Sequence, residues 1–157
     1  MTAHRRIEPS EAQYVLDNLR HSSAEEIAAL GLDPRALKHQ ISRQEISWCV
    51  YADSHPAALL GALPIRRGVW SLFGFGTEGW TSVWRLVTVI ARRDMMQAVR
   101  LTGAHRAQCP SPAAHTDTHR WLRFLGASHE AALPAYGANE EDFIMFSWLR
   151  ESGNVWA

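Results

Sequence analysis

The segment TDTHRWLRFLGASHEAALPAYGANEEDFIMFSWL, Thr116 to Leu149, decides how the rest of the chain is read. It reads as one short amphipathic helix capped by Thr116, a glycine stop at Gly126, and two strands, Ala127 to Leu133 and Phe143 to Leu149, turned through AYGANEED. Glycine just past a helix takes the left-handed backbone without a side-chain clash, so it marks the end. Helix, glycine and strand pair in that order speak to architecture and carry little chemistry.

Moving outward, His105 to Cys109 is a short strand bounded by PSP. The long stretch from Thr81 to about Thr102 has helical spacing, with Val83, Leu86, Val87, Ile90 and Val99 on one side. Arg85, Arg92, Arg93 and Arg100 fall mostly on the other, where the simplest reading is a solvated face. Ser47 to Ala52 and Ala57 to Pro64 flank the turn DSHP as a hairpin, and the turn RRG leads into the strand Val69 to Phe75. The N-terminal third is helical apart from a first strand, His4 to Glu8. Capping pairs Ser10/Gln13 and Ser22/Glu25 start its first two helices, Gly31 stops the second, and Asp33-Pro34 starts the third. The expected order is β-α-α-α-β-β-β-α-β-α-β-β. One domain over residues 1–150 and a tail, ESGNVWA, over 151–157 account for the chain.

Of 157 residues, 46% are hydrophobic and 20% charged, a globular composition large enough for a real core. Lys plus Arg and Asp plus Glu both total 16, and a formal net charge of zero gives no support to electrostatic binding of nucleic acid or anionic membrane. The eight histidines would make the chain basic only in mild acid. No apolar run approaches the ~20 residues of a membrane span. MTAHRRIEPSEAQ has no apolar segment behind its basic residues and is no secretion signal, so a soluble protein made in a cytoplasm is expected. Cys49 and Cys109, without CxxC spacing, read as buried free thiols, with a disulfide or a nucleophile as the alternatives.

Gly74-Phe75-Gly76-Thr77-Glu78-Gly79 is a literal GxGxxG between a strand and a helix, where backbone amides can approach a phosphate. A dinucleotide fold also needs a parallel βαβ unit opening the domain and an acidic residue ending the next strand. That strand, HRAQC, has no acid. The loop is then either a plain strand-to-helix turn or a phosphate cradle for another cofactor. His115 and His119, four apart, with His129 nearby, could begin a zinc site, but the HExxH carboxylate and a third ligand are missing. Capping or surface histidines are the better reading, and no metal is expected. No GxSxG signature supports a serine nucleophile. Of seven tryptophans, Trp70, Trp80 and Trp84 gather around the strand-to-helix junction, while Trp121 and Trp148 sit on core-facing elements. Trp156 in the tail is the best candidate for a partner contact.

The element order, together with HTDTHRWLRFLGA (His115 to Ala127), ASHEAALPAYG and DFIMFSWL, resembles the GCN5-related N-acetyltransferase (GNAT) fold. There a helix with the pattern N-x-x-x-x-R-(W/Y/F)-L-x-x-x-G-F precedes two antiparallel strands. The resemblance implies an α+β domain with a mixed, mainly antiparallel sheet flanked by helices. LRHSSAEEIAALGLDPRAL, VWSLFGFGTEGW with its following Arg-rich helix, RWLRFLGA and the FxxFxW-like last strand are also similar to a branch of this fold in short-tailed bacteriophages that includes internal virion protein A. The likeness covers roughly residues 5 to 149.

Set against the family's functional pattern, several positions differ. In place of the Q/R-x-x-G-x-G/A loop that grips coenzyme A, the chain has Ser71-Leu72-Phe73-Gly74-Phe75-Gly76, with Ser71 for the Gln or Arg. His115 replaces an Asn that contacts the cofactor, and Ala127 the Phe after the glycine. Leu122 stands where a Tyr protonates the leaving thiolate, and Glu78 is the nearest carboxylate for a general base. The resemblance therefore implies a virion-associated or assembly protein with a degenerate acetyltransferase-like fold, no catalytic residue and no required cofactor. Its partners would be other virion proteins or a second copy of itself, and it would reside in the virion. The alternatives are an acyl-CoA-dependent N-acetyltransferase, or an acyl-CoA or small-ligand binding module. In either, acetyl-CoA would lie against Gly74, Gly76, Thr77, Gly79 and His115.

Overall fold

The computed structural model describes residues 1–151. Its strands are β1 (Thr2–Arg5), β2 (Ser47–Ala52), β3 (His55–Arg66), β4 (Val69–Gly76), β5 (Arg106–Pro112), β6 (Ser128–Leu133) and β7 (Phe143–Leu149). They form one sheet in the order β1-β2-β3-β4-β5-β7-β6, antiparallel except where β4 meets β5. A parallel neighbour needs a crossover, and here it is helical: α4 (Trp80–Val89), a π-helical stretch Ile90–Met95 and α5 (Met96–Leu101). The remaining helices are α1 (Pro9–Asp17), α2 (His21–Ala29), α3 (Pro34–Ile41) and α6 (Thr116–Phe124). This is the α+β element order expected from the sequence.

The parallel pair is short. Val69, Trp70 and Ser71 match Arg106, Ala107 and Gln108, and the strands then part. β5 meanwhile stays paired with β7 as far as Pro112. Pro110 and Pro112 have no N–H to donate, and proline is tolerated in a sheet only where a strand edge is free. Both lie beyond Gln108, where β4 has already turned away. The result is a wedge-shaped opening at the carboxyl ends of two adjacent strands, where open sheets hold ligands.

The sheet is covered on both faces, and period-2 alternation sorts its side chains. Trp48, Val50, Ala58 and Leu60 face Val83, Val87, Ile90 and Val99 of the crossover and Leu122 and Leu125 of α6. Cys49, Leu59, Phe73 and Phe75 face Ala12, Val15, Ile27, Leu37 and Ile41 of α1–α3. That double burial explains why β3 reads as an almost unbroken apolar run. Both cysteines are free thiols on strands, Cys49 fully buried and Cys109 half-buried.

Several helix starts and strand limits differ from expectation. β1 covers Thr2–Arg5 instead of His4 to Glu8, because Arg6 adopts φ 69° and turns the chain. α1 starts at Pro9 with Glu8 as N-cap, and Glu11 rather than Gln13 closes its capping box by accepting the Glu8 N–H at 2.9 Å. α2 starts at His21 with no side-chain cap. His115, not Thr116, is the N-cap of α6, while Gly126 at φ 97° follows the C-cap Leu125. Asp33 does cap α3, accepting the Ala36 N–H at 3.3 Å. β3 begins at His55, so the hairpin turn is only Asp53-Ser54, with Asp53 at φ 54°. The tail's Trp156 lies outside the described residues.

Phe146 on β7 is fully buried, with its ring 5.0 Å from that of His119 and 5.8 Å from that of His129. Phe146→Ala should remove about 3–5 kcal/mol of stability. In urea titration this would appear as a lowered midpoint at unchanged slope.

Candidate functional site: the cleft between β4 and β5

The turn that would have to hold a phosphate is Gly76-Thr77-Glu78-Gly79, between β4 and α4. Three of its four N–H groups, and that of Trp80 just after it, are engaged within the chain. Gly76 N–H donates to Ser23 Oγ at 3.1 Å and Thr77 N–H to the Ala57 carbonyl at 2.9 Å. Gly79 N–H donates to Thr77 Oγ1 at 3.1 Å and Trp80 N–H to the Thr77 carbonyl at 3.0 Å. From the opposite side, Arg20 N–H donates to the Gly76 carbonyl at 2.9 Å. An anion cradle needs several convergent free N–H groups, and these four are already bonded.

The glycines have a packing reason. A Cβ on Gly76 would lie 2.5 Å from Trp80 Cε3, and one on Gly74 3.7 Å from Trp80 Cη2. The Trp80 indole therefore lies across Gly74 and Gly76 at the mouth of the opening. Arg20 sits above the indole, its Cζ 4.3 Å from the ring centroid. Trp121 meets it edge-on at 5.9 Å and 78°, and its own Nε1–H donates to Thr88 Oγ1 at 2.9 Å. Beneath this stack a cavity of about 40 Å³ remains, bordered by Ser23, Glu26 and Gly74. Outside it an open groove of about 430 Å³ runs between the N-terminal ends of α4 and α6, lined by Arg20, Trp80, Trp84, His115 and Asp117 among others. A second groove of about 440 Å³, bordered by Glu25, Glu141 and Asp142, lies on the other side of His115.

The titratable groups follow from this packing. Burial pushes the half-buried Glu26 carboxyl up to about 7, opposed by the positive charge of Arg20. Burial likewise lowers the Arg20 pKa, and it raises that of the Cys109 thiol, further disfavoured as a thiolate by Glu26. His115 Nε2 lies 3.2 Å from Glu25 Oε2. His119 is buried, donates from Nε2 to the Pro112 carbonyl at 2.9 Å, and is held below its ordinary value chiefly by burial. Among the described residues, His115, His119 and His129 do not converge as metal ligands.

Of the five residues expected at a cofactor, Gly74 and His115 border the small cavity, while Gly76, Thr77 and Gly79 form the turn beside it. Ser71 is held inside the sheet between Leu63 and Gln108, Leu122 is buried in the main core, and Glu78 is exposed. The Trp cluster expected at this junction is only partly formed. Trp80 pairs with Trp121, and Trp84 borders the same groove, whereas Trp70 sits at the far end of β4 beside Pro64 and Ala107. Arg20, Ser23 and Glu26 are the cleft residues that sequence reasoning missed. Their spacing in LRHSSAEEIAAL looks like an ordinary helix start, and only the fold brings them to β4.

No family model matches the chain, and no curated protein matches its sequence. Solved structures do share the architecture. Ard1 from Thermoplasma volcanium superposes with a TM-score of 0.74 at 12% identity, over 94% of this chain and 96% of that one. For yncA from Salmonella typhimurium, solved with its cofactor acetyl-CoA, the TM-score is 0.71 at 11% identity, covering 98% and 96%. Ribosomal-protein-alanine N-acetyltransferase from Brucella melitensis gives 0.71 at 11%, covering 95% and 99%. At such identities the likeness shows the fold alone: this is a GNAT acetyltransferase fold.

Two measurements probe the cleft. The Glu26 pKa is higher in the fold than its ordinary 4.5, so its stabilising contribution is full below about 4.5 and lost as pH rises through about 7. Glu26→Gln should therefore gain on the order of 1–3 kcal/mol over wild type at pH 8 and nothing near pH 4.5, read by urea unfolding at both values. Gly76→Ala should destabilise the wild type by about 1–3 kcal/mol through overlap with Trp80. In a Trp80→Ala background the same change should cost less, because the overlapping ring is gone.

Proposed function

We propose that this chain is a non-catalytic protein built on the acetyltransferase fold, a bacteriophage virion-associated or assembly component that works through contacts with other virion proteins. The observation that carries the non-catalytic half is the indole of Trp80 lying over Gly74 and Gly76 while the N–H groups of Gly76, Thr77, Gly79 and Trp80 are bonded within the chain. A cofactor arm would have to enter where that ring lies. Leu122 adds to this, since a buried hydrocarbon cannot protonate a leaving thiolate. The virion assignment is supported by the similarity of LRHSSAEEIAALGLDPRAL, VWSLFGFGTEGW and RWLRFLGA to the phage branch of the fold.

The surface favours a binding role. Trp84 is 48% exposed and Phe124 60%, on helices that meet through the Trp121–Thr88 bond. Arg85 lies 5.5 Å from the Trp84 ring centroid and Arg92 5.2 Å from that of Phe124. Exposed aromatics backed by arginines have the composition of interface hot spots.

A second reading, an acyl-CoA-dependent N-acetyltransferase, is favoured by the groove of about 430 Å³ beside Arg20. There the guanidinium and the N-terminal ends of α4 and α6 would face the cofactor's phosphates once Trp80 swung out. Glu26, poised near neutrality, would take the proton of the attacking amine. The amine nitrogen would bond to the thioester carbonyl carbon, the C–S bond would break, and a water or His115 would protonate the thiolate. A binding module or sensor would retain the groove without the transfer.

Calorimetry with acetyl-CoA at tens of micromolar should give no heat with the wild-type chain, and mass spectrometry should find the chain in purified particles. Saturable binding with thiol release over a panel of amines would establish the enzyme instead, and binding without release the sensor. Absence from particles, with the protein monomeric alone, would sink the virion role.

A further inference from the structure

Away from the cleft, at the β1–β2 edge of the sheet and under α1, four side chains of unlike chemistry meet. His4 and Cys49 are directly paired across β1 and β2, which puts their side chains on one face, and Tyr51, two residues on, shares it. Glu11, in the first turn of α1, reaches down onto the same spot. His4 Nε2 lies 2.5 Å from Glu11 Oε1, and the Tyr51 hydroxyl donates to that same oxygen at 2.6 Å. Glu11 Oε2 is engaged separately, accepting the Glu8 N–H that caps α1. A ligand atom from each of His4, Glu11 and Cys49 lies within 4.8 Å of the others.

We propose that His4 Nε2, Glu11 Oε1 and Cys49 Sγ form a zinc site, with the Tyr51 hydroxyl or a water completing a tetrahedron. One nitrogen, one carboxylate oxygen and one sulfur make a mixed borderline donor set. Such a set suits Zn²⁺ over Ca²⁺ or Mg²⁺, which prefer all-oxygen shells. Burial favours a closed site: Glu11 is 5% exposed and Cys49 0%. The exposed side of the His4 ring leaves a route in from solvent, its side chain being 43% exposed.

Binding would exchange one proton for the ion, Cys49 S–H becoming a zinc-bound thiolate with H⁺ released to solvent. Tyr51 would keep its proton and its hydrogen bond if water took the fourth position. For bonds of about 2.0–2.1 Å at tetrahedral angles, the His4–Glu11 contact must open to roughly 3.3 Å. His4 can supply that movement, since it stands on a four-residue edge strand. The Oε2 cap on α1 need not break. The ion would fasten the first strand to the first helix, and this site is independent of whether the cleft holds a cofactor.

The test uses the full untagged chain, stripped with a chelator and titrated with Co²⁺ and Zn²⁺. One Co²⁺ per chain should give a near-ultraviolet thiolate-to-metal charge-transfer band with tetrahedral visible bands, all abolished by one equivalent of Zn²⁺. Competition against a chromophoric chelator should place the zinc Kd below 1 µM, and zinc should raise the melting temperature. Cys49→Ser should lose the charge-transfer band. His4→Gln, at an exposed position that leaves the fold intact, should weaken zinc at least tenfold. No stoichiometric binding, Co²⁺ bound without a thiolate band, or unchanged affinity in His4→Gln would each overturn the site.

Discussion

Once β4 and β5 part after Ser71 and Gln108, two strand edges face each other across a gap too wide for backbone hydrogen bonds. Unpaired backbone in a buried place costs on the order of 1–3 kcal/mol for each group left unsatisfied. The chain resolves this in two ways. On β5 it removes donors, with Pro110 and Pro112. On the β4 side it brings the start of α2 across, so that Ser23 Oγ takes the Gly76 N–H and the Arg20 N–H reaches the Gly76 carbonyl. The empty volume is then filled by Trp80, which fits only because position 76 carries no side chain, with Gly74 in ordinary contact beside it. The helix start, the two glycines and the indole form one unit, and changing any of them exposes the others.

The scaffold fixes where a site can lie, while the chemistry done there depends on particular side chains. The Salmonella protein that shares this fold was solved with acetyl-CoA, but a fold alone does not carry the side chains that chemistry needs. In this chain the residue four positions before Gly126 is a core leucine, and the carboxyl that borders the cavity, Glu26, comes from α2 and not from the strands. An Arg–indole–indole stack takes the central place. Such a stack is stable without a ligand: the indole supplies apolar area, the guanidinium a cation over its face, and Thr88 satisfies the Trp121 N–H.

Legibility in the sequence followed the range of the interactions. The strands β2, β4 and β7, the crossover helix and the Asp33 cap rest on local periodicity and turn chemistry, so they could be read directly. Helix starts were misread where a side chain had a distant partner. Ser23 sits in a run that looks like a capping sequence, yet its hydroxyl serves Gly76, fifty-three positions away. GFGTEG displays glycines without saying what approaches them, and the ring that does so belongs to the very next residue. The two prolines of β5 were the one local trace of the splay, and they read as bounds of a shorter strand, not as a free edge within a longer one.

Whether Trp80 plugs the cleft or gates it is a question of magnitude. A tryptophan buries about 150–250 Å² of largely apolar surface, and at about 25 cal/mol per Å² withdrawing a half-buried ring loses roughly 2–3 kcal/mol. The guanidinium contact adds about 0.5–1 kcal/mol. Opening at about 2.5–4 kcal/mol leaves the open state populated at roughly one part in seventy to one in a thousand. A ligand that would hold an open cleft with a Kd of about 1 µM would then show a Kd between roughly 0.07 and 1 mM. Any ligand that displaces the ring has to overcome that penalty first.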